Sequence, residues 1–446
     1  MQRLSSIAFG LYMALTVFAV MAYGTVHQPV IAVFYLFSTI FVILYSLSAF
    51  RDQLRISGLL IFSPMLLFAL YAFVQSVPIG TVSDSAGIGQ IPRTISLEPY
   101  HSLAAGVSIL ILFFVSSSFL GLLGTAARVK KFAVFVTVFG TVYAFYAILQ
   151  SVLSPDSIYG IYTPAAATPF GSFVNRHNFA AVVEMCIAFP IGLLFSGAVG
   201  RDKVLLTVTS IAIMATSLLL SGSRGGLVSL IAMVILVSLI SSRSRSGKSV
   251  AAKFALSFAL LVTAIGGAIF VGGETSLTRI GDSLETEDIS SYRMHIWRVT
   301  TYVIRDNFPL GAGIGAFHTA YAAKDTSGGQ MLVEQAHNDF LQVAADAGVV
   351  GIVLGISFLV VFGNAVRKAL LIKDHHLRGI AVGAAGACFA VLVHSLFDFV
   401  LHITAVALLF LSCLALLTAA VDNSENSPDD DVTHPKKKGS VAPFVR

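Results

Sequence analysis

Charge is scarce in this sequence. Only 11% of its 446 residues are Asp, Glu, Lys or Arg, against 56% hydrophobic residues. That balance excludes a soluble enzyme built around one core and points to a polytopic membrane protein. Cysteine is nearly absent. Cys186, Cys388 and Cys413 lie in apolar stretches, and no CxxC or Cys/His spacing occurs, which excludes a disulfide framework and a cysteine-held metal. No internal repeat is visible, which counts against transporters built from duplicated halves.

What is present is hydrophobic length. Runs that meet the roughly 20 residues needed for a span cover 7–24, 29–49, 57–77, 101–123, 132–152, 178–199, 204–221, 225–241, 253–271, 349–366, 379–399 and 402–420. The class expected is an all-α polytopic membrane protein with about 12 transmembrane helices. Read this way, Arg51, Arg55, Arg128, Lys130, Lys131, Arg201, Lys203, Arg243, Arg245, Lys248, Arg367, Lys368, Lys373 and Arg378 fall in alternate short loops. Positive charge gathers on the cytoplasmic side, so both termini are expected there. The first run is kept as a span, because its flank lacks a convincing signal-peptide cleavage site. The net charge of +5 follows from loops that face anionic lipid and gives no sign of nucleic-acid binding.

This topology leaves eight basic residues on the outer side. Seven are arginines: Arg93, Arg176, Arg224, Arg279, Arg293, Arg298 and Arg305. Arginine on the face that positive charge avoids is expected to hold an anion. Three outer segments are long, 78–100, 153–177 and 272–348. The chain therefore divides into a nine-helix region 1–271 with its outer loops 78–100 and 153–177, a loop domain 272–348, three helices within 349–420, and a polar cytoplasmic tail 421–446, expected to be disordered. In the loop domain Tyr292, Ile296, Val299 and Val303 recur at helical spacing, which fits a helix lying in the membrane interface or packed on the bundle. Ionisable residues avoid the middle of the runs: Glu184 lies in the outer half of its run, as do His394 and Asp398 in theirs. A lone charge at a helix centre costs ~2.5–3.5 kcal/mol on insertion scales, so these residues are expected to line a polar cavity opening outward.

Four constellations could carry chemistry. Ser223-Arg224-Gly225-Gly226 forms a tight turn between two runs, with an accessible backbone and a cation at its tip; a turn whose arginine snorkels to headgroups is the plainer alternative. Gly171 to Asn178, with Arg176, immediately precedes a run, so a helix start there offers N–H groups to an anion, or is simply capped by Asn175 or Asn178. Arg293 and His295 open the segment containing Trp297. The glycines of the following Asn307 to Gly315 do not make a nucleotide loop, since position 316 is Ala and no strand precedes them. Glu334 to Gln342 is expected to start the helix that returns to the membrane, with His337 and Leu341 one turn apart on one face; histidine can accept a proton near neutrality. The acidic stretch Asp282, Glu285, Glu287 and Asp288 reads as a solvated loop, without regular cation-ligand spacing.

Together these segments resemble the bacterial O-antigen ligase and polymerase superfamily of membrane glycosyltransferases. Its His-Asn-x-x-Leu signature, followed by an acid and x-Gly, is matched by His337, Asn338, Leu341, Asp346 and Gly348, with Asp346 in place of the usual Glu. The Ser-Arg-Gly-Gly turn is matched by 223–226, and Arg293, Trp297 and Pro309 to Gly313 resemble the loop motif. Val174 to Ala180 looks like the family's Val-Asn-Arg-Asn-His-Phe-Ala with His177 and Asn178 exchanged. His394 to Ile403 is similar to a late motif of exopolysaccharide-type members, with Val400 and Thr404 replacing Asn and Pro.

The resemblance implies a C-type membrane glycosyltransferase fold, with 272–348 as a large periplasmic loop, in the bacterial inner membrane. It implies a donor glycan on undecaprenyl diphosphate, a glycan or lipid A core as acceptor, membrane lipid and polysaccharide assembly proteins as further partners, inversion at C1, and no metal or cofactor. Arg176, Arg224 and Arg293 would grip the diphosphate. His337 would take the proton of the acceptor hydroxyl, with Asn338, Asp346, Glu184, His394 and Asp398 in support. Segments 174–180 and 394–403 favour a polymerase, which joins one lipid-linked repeat to another. A ligase, which moves the finished glycan to lipid A core, is the alternative. A polysaccharide exporter or flippase belongs to another class and expects ionisable groups at mid-membrane.

Overall fold

The structure is a computed structural model that describes residues 2–50, 56–83, 89–165, 167–241, 287–326 and 332–425, together with 255, 266 and 267. It is all-helical apart from one small hairpin. In chain order its elements are α1 (Gln2–Met21), α2 (Gln28–Ala49), α3 (Leu59–Ser76), β1 (Gly80–Ser83), β2 (Gln90–Arg93), α4 (Pro99–Leu122), α5 (Ala126–Leu153), α6 (Arg176–Phe195), α7 (Val204–Leu220), α8 (Arg224–Ile240), α9 (Glu287–Asp306), α10 (Phe317–Ala322), α11 (Asp339–Ala369), α12 (His375–His394) and α13 (Thr404–Glu425). The strands pair antiparallel with Gly80 opposite Arg93.

Among the described residues ten helices are long and apolar enough to cross a membrane: α1 to α7 and α11 to α13. The shorter apolar helix α8 makes an eleventh match to the expected runs. The run at 253–271 and the acidic positions 282 and 285 lie almost wholly or wholly outside the described residues. This is a multi-pass, all-α membrane protein, the architecture that lipid imposes because helices satisfy their own backbone polar groups.

Helices α6, α12 and α13 form the buried centre. α6 and α12 cross at backbone contact: a Cβ on Gly192 would sit 2.6 Å from the Gly383 nitrogen. Where lipid is as apolar as the side chains, such close backbone approach is what holds helices together. The same crossing brings Glu184 of α6 beside His394 at the end of α12.

Helix direction alternates along the chain, so the ends of α1, α3, α5, α7 and α12 and the starts of α2, α4, α6, α8, α11 and α13 share one end of the bundle. Over that end lies the loop layer, with a small core of its own. Ile296, Val299 and Val303 of α9 are buried against Phe317, Tyr321 and Ala336. The apolar face of α9 is therefore committed to this layer and does not lie free in the membrane interface. Trp297 Nε1–H donates to the Ala336 carbonyl at 3.0 Å. Gln75 at the end of α3 ties the layer down: its amide donates to the Leu310 and Asp346 carbonyls at 3.0 and 2.9 Å and accepts from the Ile314 N–H at 3.0 Å.

Two expectations are corrected. Helix α11 begins at Asp339, not before His337. Asn338 is its cap, accepting from the Phe340 and Leu341 N–H groups at 3.0 Å each, and His337 stands outside with φ 49°. His337 and Leu341 therefore do not share a helix face. The helix α12 likewise stops at His394, so Asp398 lies in the turn that follows and not within a span.

Candidate functional site

Asp398 is the centre of the polar cluster at this end. Its Oδ1 accepts from His337 Nδ1 at 3.2 Å and from the Phe399 N–H at 2.9 Å. Its Oδ2 lies 3.4 Å from Arg293 Nη2 and 3.9 Å from His177 Nδ1. The Asp398 side chain is only 2% exposed, whereas His337 is 31% and Arg293 24% exposed. Burial by itself would raise its carboxyl. The hydrogen bond from His337 and the charges of His177, His337 and Arg293 outweigh that and hold Asp398 well below the usual carboxylate range. The group is thus an anion that accepts the His337 Nδ1–H, which leaves Nε2 as the basic nitrogen.

Four distant segments feed this cluster. His177 follows Arg176, the first residue of α6, where the Asn175 side chain accepts the His177 N–H at 2.9 Å and caps the helix. His177 Nδ1 meets Ser223 Oγ at 2.8 Å. Ser223 caps α8 by accepting the Gly226 N–H at 3.1 Å. The next residue, Arg224, is exposed, and among the described residues its guanidinium makes no hydrogen bond or ion pair. Arg176 and Arg224 thus flank the His177–Ser223 contact, while Arg293 reaches the same cluster from α9.

Beneath the Ser223 turn lies a second set of groups. Glu184, fully buried, accepts from Ser229 Oγ at 2.7 Å and pairs with His394 Nδ1 at 2.7 Å. The His394 ring lies against the turn, so that a Cβ on Gly225 would sit 2.8 Å from its Cδ2. The glycine there lets histidine and turn touch. The rings of His177 and His394 are perpendicular, 6.5 Å apart.

The remaining candidates act on the frame. Asn338 donates from Nδ2 to the Leu396 carbonyl at 3.0 Å. Asp346 is not in the cluster: its Oδ2 accepts from Gln342 at 3.3 Å and lies 3.5 Å from the Gly315 nitrogen, beneath the glycine turn. Two residues outside the expected set do as much. Asp339 Oδ2 accepts from Ser395 Oγ at 2.7 Å and from the Leu401 N–H at 3.2 Å, and its Oδ1 pairs with His402 Nδ1 at 2.8 Å. These contacts clamp the start of α11 to the segment that carries Asp398. His177, for which the sequence supports no role, is also brought in. The signal for all three was their place inside the matched motifs.

A multi-pass helical membrane protein with a basic, histidine-containing cluster at one end of the bundle is the class these features define. Residues 209–356 match the family model described as O-antigen ligase (Wzy_C); over this stretch the chain is similar to the O-antigen ligase and polymerase superfamily, which supports a ligase- or polymerase-type activity in glycan assembly. The matched stretch contains Arg224, Arg293, His337, Asn338 and Asp346. No match was found among curated proteins.

Proposed function

We propose that the protein is an inverting, metal-independent glycosyltransferase of the C-type membrane fold. It moves a glycan from undecaprenyl diphosphate to a sugar hydroxyl at the periplasmic face of the bacterial inner membrane, and it acts as a surface-polysaccharide polymerase. The observation that carries this reading is Asp398 holding His337 and Arg293 together, at 3.2 and 3.4 Å. His337 Nε2 takes the proton of the acceptor hydroxyl as its oxygen attacks C1 of the donor sugar, and the bond from C1 to the diphosphate oxygen breaks. Arg293, with further N–H groups beyond the one turned to Asp398, joins Arg176 and Arg224 in stabilising the charge that grows on the leaving diphosphate. Glu184, His394, Asn338 and Asp346 hold the frame. The described part of the loop domain, 287–326 and 332–348, caps the site, and both chain termini lie on the cytoplasmic side. The polymerase assignment draws on the segments 174–180 and 394–403, which meet where His177 faces Asp398.

The ligase reading has its own support, since the matching family model is described as O-antigen ligase. One experiment separates the two. Purified protein in nanodiscs is given a short lipid-linked repeat unit and no other acceptor, and products are resolved by size. A ladder lost in His337→Ala establishes the polymerase. A single product formed only after lipid A core is added establishes the ligase.

A further inference from the structure

A second cluster on the same end of the bundle has no part in the mechanism above. Tyr23 after α1, His27 before α2 and Tyr162 in the segment leading to α6 form a corner of three rings. Their centroids are 5.3 to 5.5 Å apart and their planes are crossed at 71° to 83°. Tyr159, 37% exposed, stands perpendicular to Tyr23 at 5.7 Å, and Tyr146 of α5 backs it at 5.9 Å.

The backbone is forced to build this corner. Among the described residues four non-glycine positions take a left-handed φ: Tyr23, Thr25 and Tyr159 are three of them, and His337 is the fourth. Such conformations persist only where the surroundings impose them, and they gather at functional sites. Here the surroundings are specific. Tyr159 Oη donates to the Met21 carbonyl, Thr25 Oγ1 to the Ala19 carbonyl at 3.0 Å, and Ser172 Oγ to the Val20 carbonyl at 2.7 Å. Phe173 fills the space beside Gly24. The corner is therefore fixed to the 170–173 turn, three residues before Arg176.

We propose that Tyr23, His27, Tyr159 and Tyr162 form a saccharide-binding subsite that holds a pyranose of the glycan chain. Taking the ligand as the chain being extended rests on the function proposed above. Tyr159 is exposed and Tyr23, His27 and Tyr162 are half-buried, which leaves ring surface for the C–H groups of a sugar, while phenol and imidazole edges offer hydrogen bonds to its hydroxyls. Tyrosines that merely anchor a protein at the membrane surface need neither a left-handed backbone nor a common corner.

The test uses the full chain in nanodiscs and, as probe, lipid-free oligosaccharides cut by mild acid from the host's own surface polysaccharide. Binding is measured by saturation-transfer NMR and titration. Wild type and His337→Ala are expected to bind alike. Tyr162→Ala should weaken binding by about tenfold or more, the worth of a lost stacking contact, and Tyr162→Phe should remain close to wild type. Tyr159→Asn, which tolerates the left-handed backbone, gives the same readout if Tyr162→Ala fails to fold. Absence of binding by wild type, or equal binding by the folded variants, overturns the subsite. Variants that bind sugar normally but melt earlier make the rings membrane anchors, which also overturns it. If wild type makes no glycan product yet its tyrosine-dependent binding persists, the transfer reading falls and the subsite stands.

Discussion

His337 and Asp398 are 61 residues apart in sequence, and their side chains meet at 3.2 Å. Because His337 stands outside the helix in a left-handed conformation, the direction of its ring is set by Asp398 and by the Phe399 ring, 4.8 Å away. The imidazole is oriented by a carboxylate and an aromatic edge, and not by a helix.

Asp398→Asn is therefore expected to leave the protein inserted but to slow transfer by ~10²- to 10⁴-fold, the range seen when an orienting carboxylate is replaced by an amide. The fall should appear in kcat, with the KM for the lipid-linked donor little changed. Initial rates of ladder formation measure both. An unchanged rate would remove Asp398 from the mechanism.

Arg224 is exposed and its guanidinium makes no hydrogen bond or ion pair among the described residues, so Arg224→Ala should abolish transfer without lowering expression or melting temperature. Arg224→Lys keeps the charge but loses the planar fork, and a drop of roughly tenfold or more is expected. A lysine variant at full rate would exclude bidentate phosphate recognition.

The Glu184–His394 pair is fully buried. Glu184→Ala leaves the His394 imidazole without its acceptor, whereas Ser229 keeps the Gly225 and Gly226 carbonyls; removing one partner of a buried pair typically costs about 3–5 kcal/mol. Thermal unfolding in detergent should show a clear loss for Glu184→Ala and a smaller one for Glu184→Gln, which keeps the hydrogen bonds.

His402 yields a pH prediction with a definite sign. Burial pulls its pKa down, but the hydrogen bond to Asp339 and the charges of Asp339 and Asp346 outweigh that and raise it. A raised value means the pair stabilises the fold fully below the unfolded-state value of about 6.5, and that the contribution is lost as pH rises through the folded value. The melting temperature of wild type should fall on passing from mildly acidic to alkaline buffer. His402→Gln should lack this component, and parallel curves for the two proteins would contradict it.

Much of this was legible in the sequence, because hydrophobic length and arginine placement are local signals. The runs that fall within the described residues became helices, and Arg293, His337 and Asp398 met. What the sequence could not reveal was angular. A histidine four residues before a leucine looks like a helix face, but Asn338 takes the cap and turns His337 out of the helix. Asp346 stands beside the family signature and yet faces the glycine turn, since its carbonyl and carboxylate are already engaged by Gln75, Gln342 and Gly313 to Gly315. Asp339 and His402 were visible only as motif letters, because a pairing across 63 residues leaves no periodicity behind. The α9 stripe showed that one face must be covered and not by what.

The cluster around Asp398 also carries a timetable. His177 is made early in translation and Arg293 and His337 later, but the carboxylate that joins them belongs to the turn before the last described helix. Most of the bundle is therefore synthesised before these groups can be assembled, and a nascent chain that already carries its arginines holds no organised cluster. The cluster is completed late, when the turn bearing Asp398 is seated and Asp339 clamps it in place.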